Sequence, residues 1–298
     1  MISEKIRSIP GLEIKEDCDL TGFTTMRLAS RGTLIEILDT QSLMTLLPML
    51  NNEKIPYLLL GWGANQLLPS EVPGVVLHLK MPVPGTLLEE LKPEYDLPAS
   101  AGLNQLTSLA LKFGLKGWEV FTGVPASLGG AIYMNAGTNL GEIGKLLRTV
   151  TLVTPTGEIR TEKITEQSFS YRKNHFVKAG EVIVSATIAH HGTDQNISQK
   201  IREYLEYRKR TQPLATRNCG CVFKNPHPTI PAGKLIDLLG LKDLQIGDLR
   251  ISPKHGNFME NTGKGNWDQF SSLLSIIRYQ MDHWYGIEFE LEVKIPYH

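Results

Sequence analysis

Glycine stands at positions 114, 117, 123, 129, 130, 137 and 141, and this run limits the fold more than any other feature of the chain. A glycine inside a helix or strand costs about 0.5–1 kcal/mol relative to alanine, so this segment is too rich in glycine for a regular element. It predicts turns whose backbone lies close to a ligand. Within the run, Phe121 to Gly137 has small residues at 123, 126, 127, 129, 130, 131, 136 and 137. They leave room for something large and flat, with Ser127 and Asn135 to supply hydrogen bonds. A short small-residue helix packed closely on a sheet accounts for the same pattern.

The flanking sequence reads as an α+β unit. Leu34–Leu38, Tyr57–Leu60, Val75–Leu79 and Val182–Ile188 read as strands, and Leu43–Leu50 and Leu106–Phe113 as helices, the second stopped by Gly114. Val150 to Arg160 is a strand, a Pro-Thr-Gly turn and a returning strand. A polar stretch from His191 to Asn196 marks a boundary before a helix with Ile201, Tyr204, Leu205 and Arg208 on one face. Further on come a helix from Ala232 to Leu239 and a hairpin around Leu249–Met259. A long helix then buries Trp267, Phe270, Leu273, Leu274, Ile277 and Met281, with Asn266 and Gln269 at capping-box spacing and Gly286 beyond its end. Alternation over Gly286–Ile295 predicts a last strand with Glu288, Glu290 and Glu292 on one face.

Composition removes several functions. The 31 basic and 31 acidic residues cancel, so the excess positive charge that phosphate-backbone binding needs is absent and nucleic acid is excluded as a partner. No apolar run approaches the about 20 residues of a membrane span. Charges in Met1 to Arg7 occupy the place of a signal peptide's apolar stretch. Three cysteines, Cys18, Cys219 and Cys221, cannot all pair within one chain and suit a reducing cytoplasm.

Four further segments carry chemistry. Gly61-Trp62-Gly63-Ala64-Asn65-Gln66-Leu67 follows a strand, and its alternating glycines let backbone N–H groups cradle an anion such as a pyrophosphate. Asn65 can hold the loop or donate to the phosphate, and a strand-ending tight turn explains the segment equally well. In Phe169-Ser-Tyr171-Arg172, the guanidinium presents a planar fork suited to a substrate carboxylate, although an exposed Arg is the commoner meaning. Cys219-Gly220-Cys221 is at most half of a zinc set, with no second cysteine pair and no histidine cluster. A thiol there can instead deliver a proton, or simply pack as a small hydrophobe. The three C-terminal glutamates read first as a solvated face.

These segments, in this order, resemble the UDP-N-acetylenolpyruvoylglucosamine reductases, a family of flavoenzymes. The resemblance runs from Phe23-Thr-Thr-Met-Arg27 through Gly-x-Gly-x-Asn at 61–65, Gly123-Val-Pro-x-Ser-x-Gly-Gly-Ala131, Asn135-Ala-Gly137 and Tyr171-Arg172. It continues through Arg210-Thr-Gln-Pro213, Cys221-Val-Phe-Lys-Asn-Pro226, Ala232-Gly-Lys-Leu-Ile236, Lys254-His-Gly-Asn-Phe258 and Glu292-Val-Lys294. It implies a two-subdomain FAD-binding fold of the vanillyl-alcohol-oxidase type over residues 1–80 and 81–192. A C-terminal α+β domain over 193–285 would bind the UDP-sugar, and the segment 286–298 would carry Glu292.

The implied cofactor is noncovalent FAD, held by Gly61, Trp62, Gly63, Ala64, Asn65, Gln66 and Leu67 and by Gly123, Val124, Pro125, Ser127, Gly129, Gly130, Ala131, Asn135, Ala136 and Gly137. NADPH would reduce it, and hydride would pass to C3 of the enolpyruvyl group. Arg172 and Glu292 would stabilise the enolate-like intermediate, with the Glu292 pKa raised by burial so that it can share a proton. Cys221 would protonate C2, where the family has Ser or Cys. Tyr171, Arg210, Asn225, Lys234 and His255 would meet the nucleotide-sugar, with local positive charge from Arg172, Lys224 and Lys234. No metal is implied, and the chain would act as a cytoplasmic monomer. Another flavin oxidoreductase of the same fold, or a noncatalytic nucleotide-sugar or flavin-binding module, is the alternative. Trp62, Ala64, Thr138-Asn139 and Leu291 depart from the family pattern.

Overall fold

The computed structural model describes residues 2–296. The chain divides into two compact units, one made of Met1–Glu16, Thr33–Gly61 and Pro73–Leu205 and the other of Asp17–Gly32, Trp62–Val72 and Glu206–His298.

In the first unit, helix Thr40–Asn52 starts where the Asp39 carboxylate accepts the Ser42 N–H at 2.8 Å. Its apolar residues Leu43, Leu46, Leu47 and Leu50 bury against Ile35, Ile37, Val75 and Leu77, at about 1.5–3 kcal/mol for each large side chain. The last four lie in strands Arg31–Ile37 and Glu71–Leu79 of a four-stranded sheet, which strand Tyr57–Leu59 joins parallel to Glu71–Leu79. A second sheet runs in the spatial order Glu94–Pro98, Val182–Ala189, Leu147–Val153 and Ile159–Lys163, all antiparallel. Its core centres on Trp118, fully buried, with Tyr95 and Phe121 edge-on at 5.2 and 5.4 Å. The Trp118 indole N–H donates to the Ala189 carbonyl at 2.8 Å, which satisfies its one polar atom.

The second unit is built on an antiparallel sheet in the order Arg217–Cys221, Phe258–Asn261, Leu249–Ile251 and Gln245–Ile246. Helices Ala232–Leu238 and Trp267–Tyr285 pack with it. As the capping pattern predicts, the Asn266 side chain accepts the Gln269 N–H at 3.0 Å, and Gly286 ends the helix with φ +60°. Met26, Leu28 and Leu67 join this core, and the Asn261 carboxamide donates to the carbonyls of Met26 and Arg27 at 3.0 and 3.1 Å. These bonds explain why short early segments fold with the C-terminal part of the chain.

Three local expectations change. Residues 286–296 form no strand. Their burial still alternates, with Phe289 and Val293 buried and Glu288 and Glu290 exposed. The backbone bonds change partner partway: Lys224 N–H donates to Glu290 and Glu292 N–H to Val222, whereas Lys294 pairs with Asn65 and Leu67. No single neighbouring strand is present to form a ladder. The polar stretch after His191 is bonded into the first unit through Lys116–Gly192, His191–Lys116 and Asp194–Gly114, and helix Ile197–Thr211 carries the chain onward. The glycine run does contain a regular element, the short helix Leu128–Tyr133.

Among the described residues, no helix is long and apolar enough to cross a membrane. One buried ion pair makes the first unit acid-sensitive. Arg160 donates to both oxygens of Glu181 at 3.0 and 2.7 Å, and Glu181 is 4% exposed. The guanidinium holds this carboxyl below the usual glutamate value against the opposing effect of burial. A lowered folded pKa contributes stability above the unfolded value of about 4.3, and that stability is lost as pH falls through the folded value. Urea midpoints will therefore drop on acidification below about pH 4.3, and Glu181→Gln will flatten that drop.

Candidate active site

The loop after strand Tyr57–Leu59 differs from its surroundings in its hydrogen bonding. Leu60 N–H donates to Leu77 and Leu67 N–H to Lys294. Between them, the six N–H groups from Gly61 to Gln66 have no partner among the described residues. Consecutive N–H groups in a bent backbone form an anion cradle. Glycine is required at two points. A Cβ on Gly61 would stand 2.8 Å from Ser127 Oγ, and on Gly63, at φ +61°, 2.2 Å from the Phe23 carbonyl oxygen. Trp62 is 39% exposed. Asn65 resolves to loop-holding, because its carboxamide donates to the Glu292 carbonyl at 3.0 Å. The Leu67 side chain is 1% exposed and packs in the core, and its N–H is taken by Lys294.

The glycine run is spent differently from the expectation of a ligand-lined turn. Ser127 caps helix Leu128–Tyr133 by accepting the Gly130 N–H at 3.3 Å. The N–H groups of Leu128, Gly129 and Ala131 go to the carbonyls of Ala101, Ala99 and Ser127, so none of these four donors is left for an anion. Gly129 lies against Ala99, and Gly137 against Glu142 and Gly141, each too close for a Cβ. Asn135 is held by the protein itself. Buried at φ +44°, it donates to Glu142 and the Ser170 carbonyl and accepts from Gly144, so its side chain is committed to the protein. Gly123 adopts φ +68°, Val124 and Ala136 pack partly buried against the core, and Pro125 is exposed.

Arg172 occupies the turn between the two-residue strands Phe169–Ser170 and Lys173–Asn174, with φ +57°. It donates to the Gly137 carbonyl at 3.0 Å, and its guanidinium lies 5.2 Å from the centre of the Tyr171 ring. Tyr171 itself is 46% exposed. The Gly137 carbonyl and the Tyr171 ring both help to orient the guanidinium, whose planar fork suits a planar anion.

The two neighbouring cysteines have different environments because strand Arg217–Cys221 carries a bulge. Its register shifts between Asn218 and Cys221, with Gly220 at φ +75°. A bulge re-aims the side chains that follow it. Cys219 faces the core, 1% exposed, and Cys221 is partly exposed. Burial, with a smaller contribution from the Glu292 carboxylate, pushes the Cys219 thiol up to about 12, which makes it inert. Glu292 is partly buried, unlike Glu288 and Glu290, and its N–H donates to the Val222 carbonyl at 2.9 Å. Cys221 and Glu292 thus sit on one backbone frame. Lys224 is ion-paired with Glu290, so its charge is already compensated.

Three expected substrate residues meet at the start of helix Ala232–Leu238. Asn225 Oδ1 accepts the Ala232 N–H at 3.0 Å, Lys234 lies exposed on the first turn, and the His255 ring leaves room only for glycine at 233. Lys254 Nζ donates to the Lys209 carbonyl at 2.8 Å, which ties this loop to the turn carrying the exposed Arg210. Burial pushes the His255 pKa down, with the Lys242 charge adding to the effect. The sequence reading missed Asn257, which is buried and bonded to the backbone beside Cys221; only its place in Lys254-His-Gly-Asn-Phe258 hinted at it. Among the described residues no group of three or more His, Cys, Asp or Glu could hold a metal ion.

Comparison with known proteins agrees with this layout. Residues 34–162, which contain the N–H cradle and the glycine run, match a family model described as an FAD binding domain. The cradle and the close approach at Gly61 fit the pyrophosphate of that cofactor. Residues 212–296 match a model described as the UDP-N-acetylenolpyruvoylglucosamine reductase C-terminal domain. The reductase of that name from Chlamydia pneumoniae is 34% identical over 93% of this chain and 90% of its own length. The one from Syntrophus aciditrophicus is 32% identical over 99% and 95%. The crystal structure of the enzyme (MurB) from Thermus caldophilus superposes with a TM-score of 0.79 at 29% identity, covering 95% of this chain and 98% of that one. With this identity along nearly its whole length, the chain belongs to the UDP-N-acetylenolpyruvoylglucosamine reductase family of FAD-binding oxidoreductases.

Proposed function

We propose that this chain uses NADPH to reduce the enolpyruvyl group of UDP-N-acetylglucosamine enolpyruvate to UDP-N-acetylmuramate, a step of peptidoglycan synthesis, as a cytoplasmic monomer with no nucleic-acid partner. The observation that carries this reading is the Gly220 bulge, which separates an inert buried thiol from a partly exposed one on the frame that also holds Glu292. Bound FAD supplies hydride transfer, from NADPH to C3 of the enolpyruvyl group. The backbone N–H groups of residues 61–66, free among the described residues, would hold its pyrophosphate, and 123–131 are the second segment assigned to the cofactor.

Cys221 delivers the proton to C2. An ordinary thiol, with a pKa of about 8.5, is mostly protonated at neutral pH and is a better donor than an alcohol. Arg172 supplies the fixed positive charge that the substrate carboxylate and the enolate-like intermediate require, and Glu292 shares a proton with that intermediate. Tyr171, Arg210, Asn225, Lys234 and His255 bind the nucleotide-sugar. An anaerobic two-stage assay tests the whole reading. NADPH should bleach the flavin, and colour should return only when the enolpyruvyl UDP-sugar is added. Bleached protein that stays colourless with the sugar overturns the assignment.

A further inference from the structure

Strand Arg217–Cys221 pairs with Phe258–Asn261, and this pairing ends at Cys221 opposite Phe258. Beyond it, Gly256 packs against the Gly233 carbonyl so closely that a Cβ there would stand 2.7 Å from the oxygen. The neighbouring chain is therefore turning away just where Val222 and Phe223 still need partners. Asn257 supplies them. Its backbone carbonyl accepts the Val222 N–H at 2.9 Å, its Oδ1 accepts the Phe223 N–H at 2.9 Å, and its Nδ2 donates to the Phe223 carbonyl at 2.8 Å. The carboxamide, 3% exposed as a residue, takes the place of a peptide group in an adjoining strand. On the other side of the same residues, the Val222 carbonyl receives the Glu292 N–H and Lys224 N–H reaches Glu290.

We propose that Asn257 is a positioning residue that fixes Cys221 and Glu292 together, by clamping Val222 and Phe223, the two residues that follow the thiol, of which Val222 accepts the Glu292 N–H. The inference rests on the roles given to those two residues above. Leucine at 257 keeps the branching and heavy-atom count and removes both side-chain bonds. Aspartate keeps an acceptor for the Phe223 N–H but faces the Phe223 carbonyl with a donor only when protonated. A buried carboxyl of this kind has a raised pKa, so the Asp variant carries a pH dependence that wild type lacks.

The test uses the flavin-loaded full chain. In Asn257→Leu the sugar-dependent return of flavin colour should slow about tenfold, while bleaching by NADPH stays within about twofold of wild type. In Asn257→Asp the same return should be slow at high pH and recover toward wild type as pH falls. A purely stabilising role would move the melting temperature but give no such limb per folded enzyme. Iodoacetamide labelling of Cys221, mapped by mass spectrometry without any substrate, should quicken at least about threefold in both variants at high pH as the backbone loosens. Wild-type labelling rates in Asn257→Asp, which suffice even if Asn257→Leu fails to fold, overturn the inference. So does an Asp variant whose colour return matches wild type across the pH range. Wild-type protein that never regains colour with the sugar refutes the proposed function instead, and the labelling still decides the clamp.

Discussion

Cys221→Ala will let NADPH bleach the flavin at close to the wild-type rate, yet slow the sugar-dependent return of colour about 10²- to 10⁴-fold, the range that a positioned general acid contributes. The two half-reactions separate because only the second needs a proton delivered to carbon. Cys221→Ser retains a hydroxyl at the same place and should keep substantial turnover, limited by the weaker acid. Cys219→Ala serves as the control. That thiol is buried and pushed up to about 12, so its removal should leave both half-reactions near wild type. Equal loss of both steps in Cys221→Ala, or a large loss of sugar reduction in Cys219→Ala, would remove Cys221 from the mechanism. Stopped-flow absorbance of the flavin under anaerobic conditions reads each step separately.

The contrast between these cysteines shows what a linear sequence can and cannot disclose. Cys-Gly-Cys was visible, and so were the glycine and capping signals at Gly114, Asn266 and Gly286, because those features are local. The bulge that turns one thiol inward depends on pairing with Phe258 and Glu260, far along the chain. Alternation over 287–293 was real as burial, but it could not reveal that the hydrogen bonds pass from residues near Val222 to the loop at Asn65. Asn65, Asn135 and Asn257 share one lesson. A carboxamide finds its partners across tens to hundreds of residues, and nothing in its neighbours says whether it will bind a ligand or its own backbone. The same holds for the helix start at Leu128, whose N–H groups were taken by the carbonyls of Ala99 and Ala101.

Arg172→Gly should lower sugar reduction about 10²- to 10³-fold, the usual loss of one preorganised stabiliser of transition-state charge, and yet leave the protein as stable as before or more so. The reason lies in the backbone. Arg172 holds φ +57° in a two-residue turn whose other central residue, Tyr171, does not have positive φ. That is the pattern of a turn that prefers glycine at its second central position, and a side chain there costs of order 1–3 kcal/mol. Glycine relieves that cost while deleting the guanidinium, its bond to the Gly137 carbonyl and its stack on Tyr171. Arg172→Ala loses the same contacts but keeps the strain, so its melting temperature should fall below that of Arg172→Gly while its activity is equally low. Arg172→Lys keeps the charge without the planar fork and should lie between alanine and wild type in activity. A glycine variant that melts well below wild type would show that the turn is held by the side chain and carries no strain kept for function. Stability gained with activity lost at this one residue would instead mark the conformation as maintained for the guanidinium, whose charge must stand ready before the substrate arrives.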